Sequence, residues 1–413
     1  MKPERNIYVV GGDLTPFIGK GHPDFDEDGD NPSLEDHLTD AIQGTFEQTG
    51  VDPEAVERGY IGNFAGECFS NQGHLGALAV RADEQLQGKP FQRVEGACAS
   101  GGLATVNAID ALRAGTDVAL VAGAEVQTTV SAREGAGYLA RAAHWEEERE
   151  LDDFTFPAMF ARRTKHYKEA YDATEEDLAK VVVKAYDNAS KNPNAHMQAI
   201  DVDLEHASCA SENNPNFLRN EELKPHLKMT DCSQVSDGAV GMIVATEEGL
   251  DRLGVDPTDC VKIAAYGVST SPLGQVDDYT ELGNTKQAVG EVYEDAGIGP
   301  DDLDVAEVHD CFAVTEPLMY EALGLADAGR GTELLDEGAT EIDGEIPVNT
   351  GGGLIAFGHP VGATGVKQVL EIYRQMKGQC GEYQIPERPE IGLTANMGGD
   401  DRTTVSIALE NLG

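Results

Sequence analysis

Two side chains able to do nucleophilic and proton-transfer chemistry stand in glycine-rich turns of this chain. Cys98 lies in "VEGACASGGLATVNAIDALRAG", where small residues give way to an amphipathic helix. A thiol at a helix start gains from the partial positive charge there, which pulls its pKa below the free value of about 8.5. His359 lies in "NTGGGLIAFGHPVGATG", with Pro360 biasing it away from helix and glycines leaving room for a ligand. An imidazole in reach of the thiol can take its proton. A third stretch, "VHDCF", offers His309 and Cys311 at alternate positions, which on a strand share one face. A lone cysteine is most often structural and a lone histidine most often a surface group. The small-residue turns around Cys98 and His359 favour catalysis over both.

The elements that must position these residues come in two copies. "AIQGTFEQTGVDPEAV" (41–56) returns as "AVGEVYEDAGIGPDDL" (288–303), each a helix, a glycine stop, a proline turn and then a strand. The strands are "RGYIGNF" and "VAEVHDCF". Further on, "GACASGGLATVNAIDALRAG" matches "GHPVGATGVKQVLEIYRQMKG", and apolar strands follow in both halves: "DVALVAGAEV", then "EIGLTANMGG" with "TTVSIAL". Alternating strands and helices predict an α/β fold built twice. A related pair of turns can then bring Cys98 and His359 to one central site. The irregular stretch 126–230 reads as an insertion covering one face.

Together these stretches resemble the thiolase superfamily over nearly the whole chain. "ACASGG" is similar to its nucleophile turn, "SQVSDGAVGMIV" to the strand closing its first half, and "GHPVGATG" to its catalytic-histidine loop. "HDCF" is similar to the sterol-carrier-protein-type and archaeal acetyl-CoA acetyltransferase branch. The resemblance implies a duplicated thiolase fold, two βαβαβαββ halves in five α-β-α-β-α layers with an inserted loop domain. The expected division is 1–125 with 231–252 for the first half, 126–230 for the substrate-covering insertion, and 253–413 for the second half. The resemblance further implies that Cys98 takes an acyl group from a coenzyme A thioester and that His359 activates it. His309 takes the place of the family's oxyanion-binding Asn. Backbone N–H groups of Cys98 and Gly398 hold the acyl-enzyme oxygen, and Ser233 and Asn396 lie in the substrate and coenzyme A site.

One departure matters. Where ordinary thiolases carry an acid/base cysteine near the C-terminus, this chain reads "TANMGGDDRT". Asn396 stands in the cysteine's place and cannot do acid–base work near neutral pH. Ala395 also removes the histidine often found in the related branch. Cys311 is then the best remaining acid/base, its pKa expected not far from neutral. The expected activity is making or cleaving acetoacetyl-CoA or another 3-ketoacyl-CoA, with no metal and no cofactor beyond the thioester substrates. The alternatives are a decarboxylating or otherwise modified condensing enzyme of the same superfamily, or a non-catalytic acyl-CoA-binding scaffold subunit.

Three other motifs carry less. "DFDEDGDNPSLE" (24–35) satisfies a calcium-loop spacing, but Asn31 sits at the normally apolar eighth position and Pro32 follows it. "VVGGDLTPF" reads as a strand end that turns tightly, and "GGG" at 351–353 as room for a thioester arm.

Composition sets the surroundings. Seven cysteines at irregular spacing, with no CxxC, argue for free thiols in a reducing cytoplasm. No run of apolar residues suits a membrane span or a secretory leader. Asp and Glu number 74 against 30 Lys and Arg, a formal net charge of −44. Such a surface repels nucleic acid and anionic membranes, and its scattered acids read as a halophilic shell. The resemblance implies a homodimer or homotetramer and lipid metabolism, with a small zinc-ribbon/OB-fold protein or a hydroxymethylglutaryl-CoA synthase as further partners. Salt screens self-repulsion, so the thermal unfolding temperature is expected to rise from dilute buffer to molar potassium chloride. Calorimetry showing greater stability in dilute buffer would refute the halophilic reading.

Overall fold

The computed structural model describes residues 5–413. Nine strands form its framework: β1 (Ile7–Leu14), β2 (Arg58–Gly62), β3 (Phe91–Val94), β4 (Val118–Glu125), β5 (Gly238–Thr246), β6 (Val261–Thr270), β7 (Val305–Val308), β8 (Ile391–Gly398) and β9 (Thr403–Asn411). They run in the order β3-β2-β4-β5-β1-β6-β9-β8-β7. In the first half β2 lies parallel to β3 and β4, and β5 runs antiparallel between β4 and β1. The second half repeats this plan from the other side, with β7 parallel to β8 and β9 antiparallel between β8 and β6. A single parallel bridge, Ala306 to Val348, stands where a counterpart of β3 belongs. The halves meet edge to edge, Tyr8 opposite Lys262 and Val9 opposite Val261.

The helices follow the same duplication. Helix α1 (Leu34–Thr49) starts from the Ser33 cap, whose hydroxyl accepts from Asp36 N, and stops at Gly50, φ +67°. Its second-half counterpart (Gly283–Ala296) stops at Gly297, φ +69°. Helix α2 (Ser100–Ala114) follows the Cys98 turn. The 126–230 stretch, read above as an irregular loop domain, holds α3 (Ala132–Leu139), α4 (Thr155–Tyr171) and α5 (Glu175–Ser190), and no strand. The counterpart of α1 is α6, then come α7 (Thr315–Leu323) and α8 (Thr364–Lys377), which follows the His359 turn.

Strand periodicity sorts the layers. In β4, Leu120 and Ala122 join the core beneath α1, while Ala119 and Val121 face the core that contains α2 and α8. Helix α8 packs on strands of both halves and on α2, and α6 covers β6 and β9. The order is therefore α1, first sheet half, α2 with α8, second sheet half, α6. These are the five expected layers, with the helices that follow Cys98 and His359 in the middle one.

Two glycine motifs differ from expectation. β1 does not end at "VVGG" but runs on to Leu14 through a bulge between Val9 and Gly11, because Gly12 lies where any Cβ would strike the Gly241 carbonyl. The acidic stretch forms a loop up to the Ser33 cap, in which Asn31 Oδ1 accepts from Asp26 N at 2.9 Å, and Glu35, already in α1, pairs with Arg81.

The central layer is closed by glycine. A Cβ on Gly365 would collide with the backbone N of Gly102, and one on Gly101 would lie 2.9 Å from the Gly362 carbonyl. Gly365→Ala is expected to destabilise the protein by about 1–3 kcal/mol or more, as overpacking does. Gly290 in α6 has no atom within 4 Å of a built Cβ, and Gly290→Ala should stabilise it by about 0.5–1 kcal/mol through helix propensity. Denaturant unfolding of both variants checks the pair, and equal behaviour would show that the helix contact is not what limits packing.

Candidate active site

The Cys98 turn is held open by local chemistry. Ala97 adopts φ +53°, a left-handed conformation costly for a residue with a Cβ. Ser100 fixes it: its hydroxyl accepts from Gly96 N at 3.0 Å and donates to the Ala97 carbonyl at 2.5 Å. Cys98 then stands, half-buried, just ahead of α2.

Four predicted residues come together here. Donor atoms of Cys98, His309 and His359 lie within 4.8 Å of one another. The two imidazoles meet edge to face, with ring centres 5.1 Å apart. Cys311 lines the same cavity, of about 700 Å³, together with Ser233. The Ser233 N–H donates to the Cys311 carbonyl at 2.9 Å, which fastens the "HDCF" turn to its neighbour. Asp310 points the other way and accepts from Leu354 N at 2.7 Å, and His309 and Cys311 both face the cavity, though from the turn after β7 and not from a strand as expected.

Asn396 has a different task from the one expected. It is 1% exposed and lies behind the reacting groups. Its Oδ1 accepts from Gly102 N at 3.2 Å, and its Nδ2 donates to the Cys98 carbonyl at 3.0 Å and to His309 Nδ1 at 3.3 Å. An amide N–H can only donate, so His309 Nδ1 is the acceptor and its proton sits on Nε2. His359 is set the opposite way. Its Nδ1 lies 2.7 Å from the Thr364 hydroxyl, which itself donates to the Pro360 carbonyl at 3.2 Å. The proton is therefore on His359 Nδ1, leaving Nε2 as a bare base. Gln127 anchors this turn, donating to the His359 carbonyl at 2.8 Å.

Electrostatics keeps every group neutral at rest. Burial, then backbone N–H groups of Gly399 and Cys98 acting against it, set the thiol of Cys98, which ends pushed up to about 12. The helix start does not lower it as expected; removal from water wins. Burial and the charge of Lys367 lower His359 to about 3. Burial, His359 and Lys367 hold His309 well below its ordinary value. Burial, together with Cys98, raises Cys311 well above the ordinary thiol range, so the expected near-neutral pKa is not found.

A backbone donor stands beside the thiol. Gly399, φ +70°, lines the cavity and directs its N–H to the Cys98 thiol, whereas Gly398 belongs to the β8–β9 ladder. The next residue, Asp400, forms a buried ion pair with Arg163 of α4, which also donates to the Glu281 carbonyl at 2.8 Å. Sequence reasoning missed this brace and missed Glu125. Glu125, at the end of β4, accepts from Phe64 N at 2.9 Å and Ala65 N at 3.1 Å, and burial pushes it up to about 7. A carboxylate closing the apolar run "VALVAGAE" was the available signal. The "GGG" trio makes room for Asp310, whose carboxylate a Cβ on Gly353 would strike, and not for a thioester arm.

Cys98, His309 and His359 also offer the donor set a soft divalent ion prefers, though a thiol must stay unbound to act as a nucleophile. Among the described residues no helix is long and apolar enough to cross a membrane.

Comparison with known proteins now bears on this arrangement. The model for "Thiolase, N-terminal domain" matches residues 7–248, and that for "Thiolase C-terminal domain-like" matches 265–411. An acetyl-CoA acetyltransferase of Methanothermobacter thermautotrophicus is 35% identical over 90% of this chain and 93% of its own length. The benzoylsuccinyl-CoA thiolase subunit BbsB of Thauera aromatica is 30% identical over 97% of both chains. The solved structure titled Ltp2-ChsH2(DUF35) aldolase superposes with a TM-score of 0.78 at 20% identity, over 98% of this chain and 97% of that one.

The paired tautomers are open to test. ¹⁵N NMR of labelled histidine should show His309 protonated at Nε2 and His359 at Nδ1, with the His309 preference lost in Asn396→Ala. The opposite pattern for His309 would remove Asn396 as the group that sets it. Because His359 is uncharged from about pH 5 upward, the pH profile of Cys98 acylation should show no step near 6.5.

Proposed function

The chain belongs to the thiolase family, and we infer that it is an acyl-CoA C-acyltransferase that makes or cleaves 3-ketoacyl-CoA through an acyl-Cys98 intermediate. The observation that carries this reading is the convergence of Cys98, His309 and His359 within 4.8 Å at the floor of one cavity.

The resting tautomers support a closed proton cycle. His359 Nε2 takes the Cys98 proton as the sulfur attacks the thioester carbonyl, and His359 becomes an imidazolium. The developing oxyanion accepts from the backbone N–H groups of Cys98 and Gly399. As the tetrahedral adduct collapses, the coenzyme A thiolate leaves and takes a proton from Cys311. The result is acyl-Cys98, an imidazolium at His359 and a thiolate at Cys311, with charges that balance. The imidazolium left at His359 in the same cavity favours the Cys311 thiolate by its charge, and burial makes that thiolate a strong base for the next step. In condensation the Cys311 thiolate removes an α-proton from a second thioester. The enolate oxygen accepts from His309 Nε2–H and the His359 imidazolium, and the enolate carbon attacks acyl-Cys98. The expelled Cys98 thiolate takes its proton back from His359. Cleavage runs the same steps backward. No step calls on a metal or redox cofactor; the thioesters are the substrates.

The wider setting belongs to the same proposal. On the family match we take it to be a soluble, cytoplasmic enzyme of lipid metabolism acting as a homodimer or homotetramer. The net charge of −44 supports a salt-adapted surface. A small zinc-ribbon/OB-fold protein and a hydroxymethylglutaryl-CoA synthase are its proposed partners. Ser233, on the cavity wall, is placed to meet the coenzyme A arm.

Cys98→Ala should abolish acyl-enzyme formation, read by intact mass. His359→Ala should slow acylation by about 10²–10⁴-fold, the usual worth of a positioned base. Cys311→Ser is the sharper test. It should still acylate Cys98 but lose deuterium exchange into the α-position of the second thioester. Normal exchange and condensation in Cys311→Ser would assign that proton to another group.

A further inference from the structure

We propose that the aromatic wall of the active-site cavity seats the acyl group of the thioester, so that this enzyme selects acyl-CoA substrates with a bulky apolar acyl group, a chain or ring of six or more carbons, over acetyl-CoA. The inference rests on the acyltransferase reading and adds its substrate class.

Size is the first observation. The cavity measures about 700 Å³, whereas an acetyl group fills roughly the share of two water molecules, about 60 Å³. The thioester and its coenzyme A arm take part of the remainder, but the lining says which part. Eight of the chain's 12 phenylalanines line this one cavity. They do not lie at its mouth alone. Phe312 directly follows Cys311, and Phe160 of α4 stacks on it with ring centres 4.4 Å apart and planes 18° from parallel. Just ahead of α4, Phe154 meets Phe217 edge to face, 5.3 Å apart at 84°. The apolar surface therefore starts at the reacting sulfur groups and continues along α4.

The polar lining comes from other segments, which meet the aromatic wall where Cys232 bridges Phe312. Thr128, Ser131, His196, Ser233 and Gln234 face the cavity from segments that are bonded to one another. Gln127 donates to the Ser236 carbonyl, Thr128 N to Asp237, and His196 Nδ1 lies 2.8 Å from Ser236 Oγ. The coenzyme A arm carries amides that need such partners and would lose them against phenylalanine rings. The amide-bearing arm belongs on the polar side, which leaves the aromatic side for the acyl group. Helix α3, against which Phe69 packs, lines the cavity with the small residues Ala132, Gly135 and Ala136 and so leaves room in it.

A pocket of this kind discriminates by apolar burial, about fourfold for each methylene removed from water. The test is single-turnover acylation of the full-length protein with acetyl-, hexanoyl-, octanoyl- and phenylacetyl-CoA, following the Cys98 adduct by intact mass. Octanoyl- and phenylacetyl-CoA should acylate at least tenfold faster than acetyl-CoA at equal low concentration, and comparing them separates chain from ring. Ala136→Phe, which fills the opening from α3, should lower the octanoyl-to-acetyl ratio at least fivefold. Its fold is checked by circular dichroism, and Ala136→Leu serves as the milder variant if it fails to fold. Fastest acylation by acetyl-CoA, or a ratio unmoved by filling at Ala136, overturns the inference while leaving Cys98 as nucleophile. No Cys98 adduct from any thioester overturns the acyltransferase reading itself, and this inference with it.

Discussion

Everything at the site depends on how closely α2 and α8 approach at their N-terminal turns. Gly101 and Gly102 meet Gly362 and Gly365 backbone to backbone, with no space for a single methyl group between them. Gly62 and Gly123, at the ends of β2 and β4, meet the same Gly362 carbonyl. A methyl at any of these contacts would push apart the two turns that carry Cys98 and His359. Since the reacting atoms lie within 4.8 Å, a shift of an ångström there costs the proton transfer its geometry. Packing density in the middle layer and catalytic distance are one constraint.

The same crowding decides the electrostatics. A helix start stabilises an anion by about 0.3–1 kcal/mol at an exposed site, less than one pKa unit of thiol acidity. Burial moves the Cys98 thiol the other way, from 9.0 to about 12, so the dry cavity outweighs the helix end. The two histidines follow suit, discharged by burial and by the buried Lys367, which is itself paired with Glu307 at 2.8 Å. No ion pair stands preformed between Cys98 and His359. Charge arises only when a thioester carbonyl is there to receive it, and the N–H groups of Cys98 and Gly399 then act in a medium that screens them little.

The duplicated α/β plan was legible because it is written in periodicities and stops: Gly50 and Gly297 end equivalent helices with nearly equal φ angles. The Cys98, His309, Cys311 and His359 group was legible because reactive side chains stood where glycines thin out the backbone. What the chain did not disclose were interactions between residues far apart in sequence. Asn396 reads as a lost acid/base until its amide is seen on the Cys98 carbonyl and His309, some 298 and 87 positions away. Gly399 directs its N–H to the Cys98 thiol just past the last paired residue of the β8–β9 ladder, and strand ends are not resolved to one residue by pattern. The helices α4 and α5 were hidden in a polar stretch whose apolar faces are narrow.

The repeat also sets the amide of Asn396 in context. In both halves a side-chain hydrogen bond spans the parallel strand pair just beyond its ladder. Between β2 and β4 it is Asn63 Nδ2 to Glu125, at 3.0 Å; between β7 and β8 it is Asn396 Nδ2 to His309, at 3.3 Å. In the first half both partners are fully buried and tie the strand ends to the 63–65 turn. In the second half the acceptor is an imidazole whose other nitrogen is left as a donor beside Cys98. In the second half His309 stands where the first has Asn63, and the donor has moved to the other strand, at Asn396, where it fixes which atom of His309 carries the proton. A cysteine at Asn396 could move a proton but could not hold that tautomer while gripping the Cys98 carbonyl, so the acid/base duty falls to a neighbouring group on the cavity wall, and Cys311 is the one that faces it.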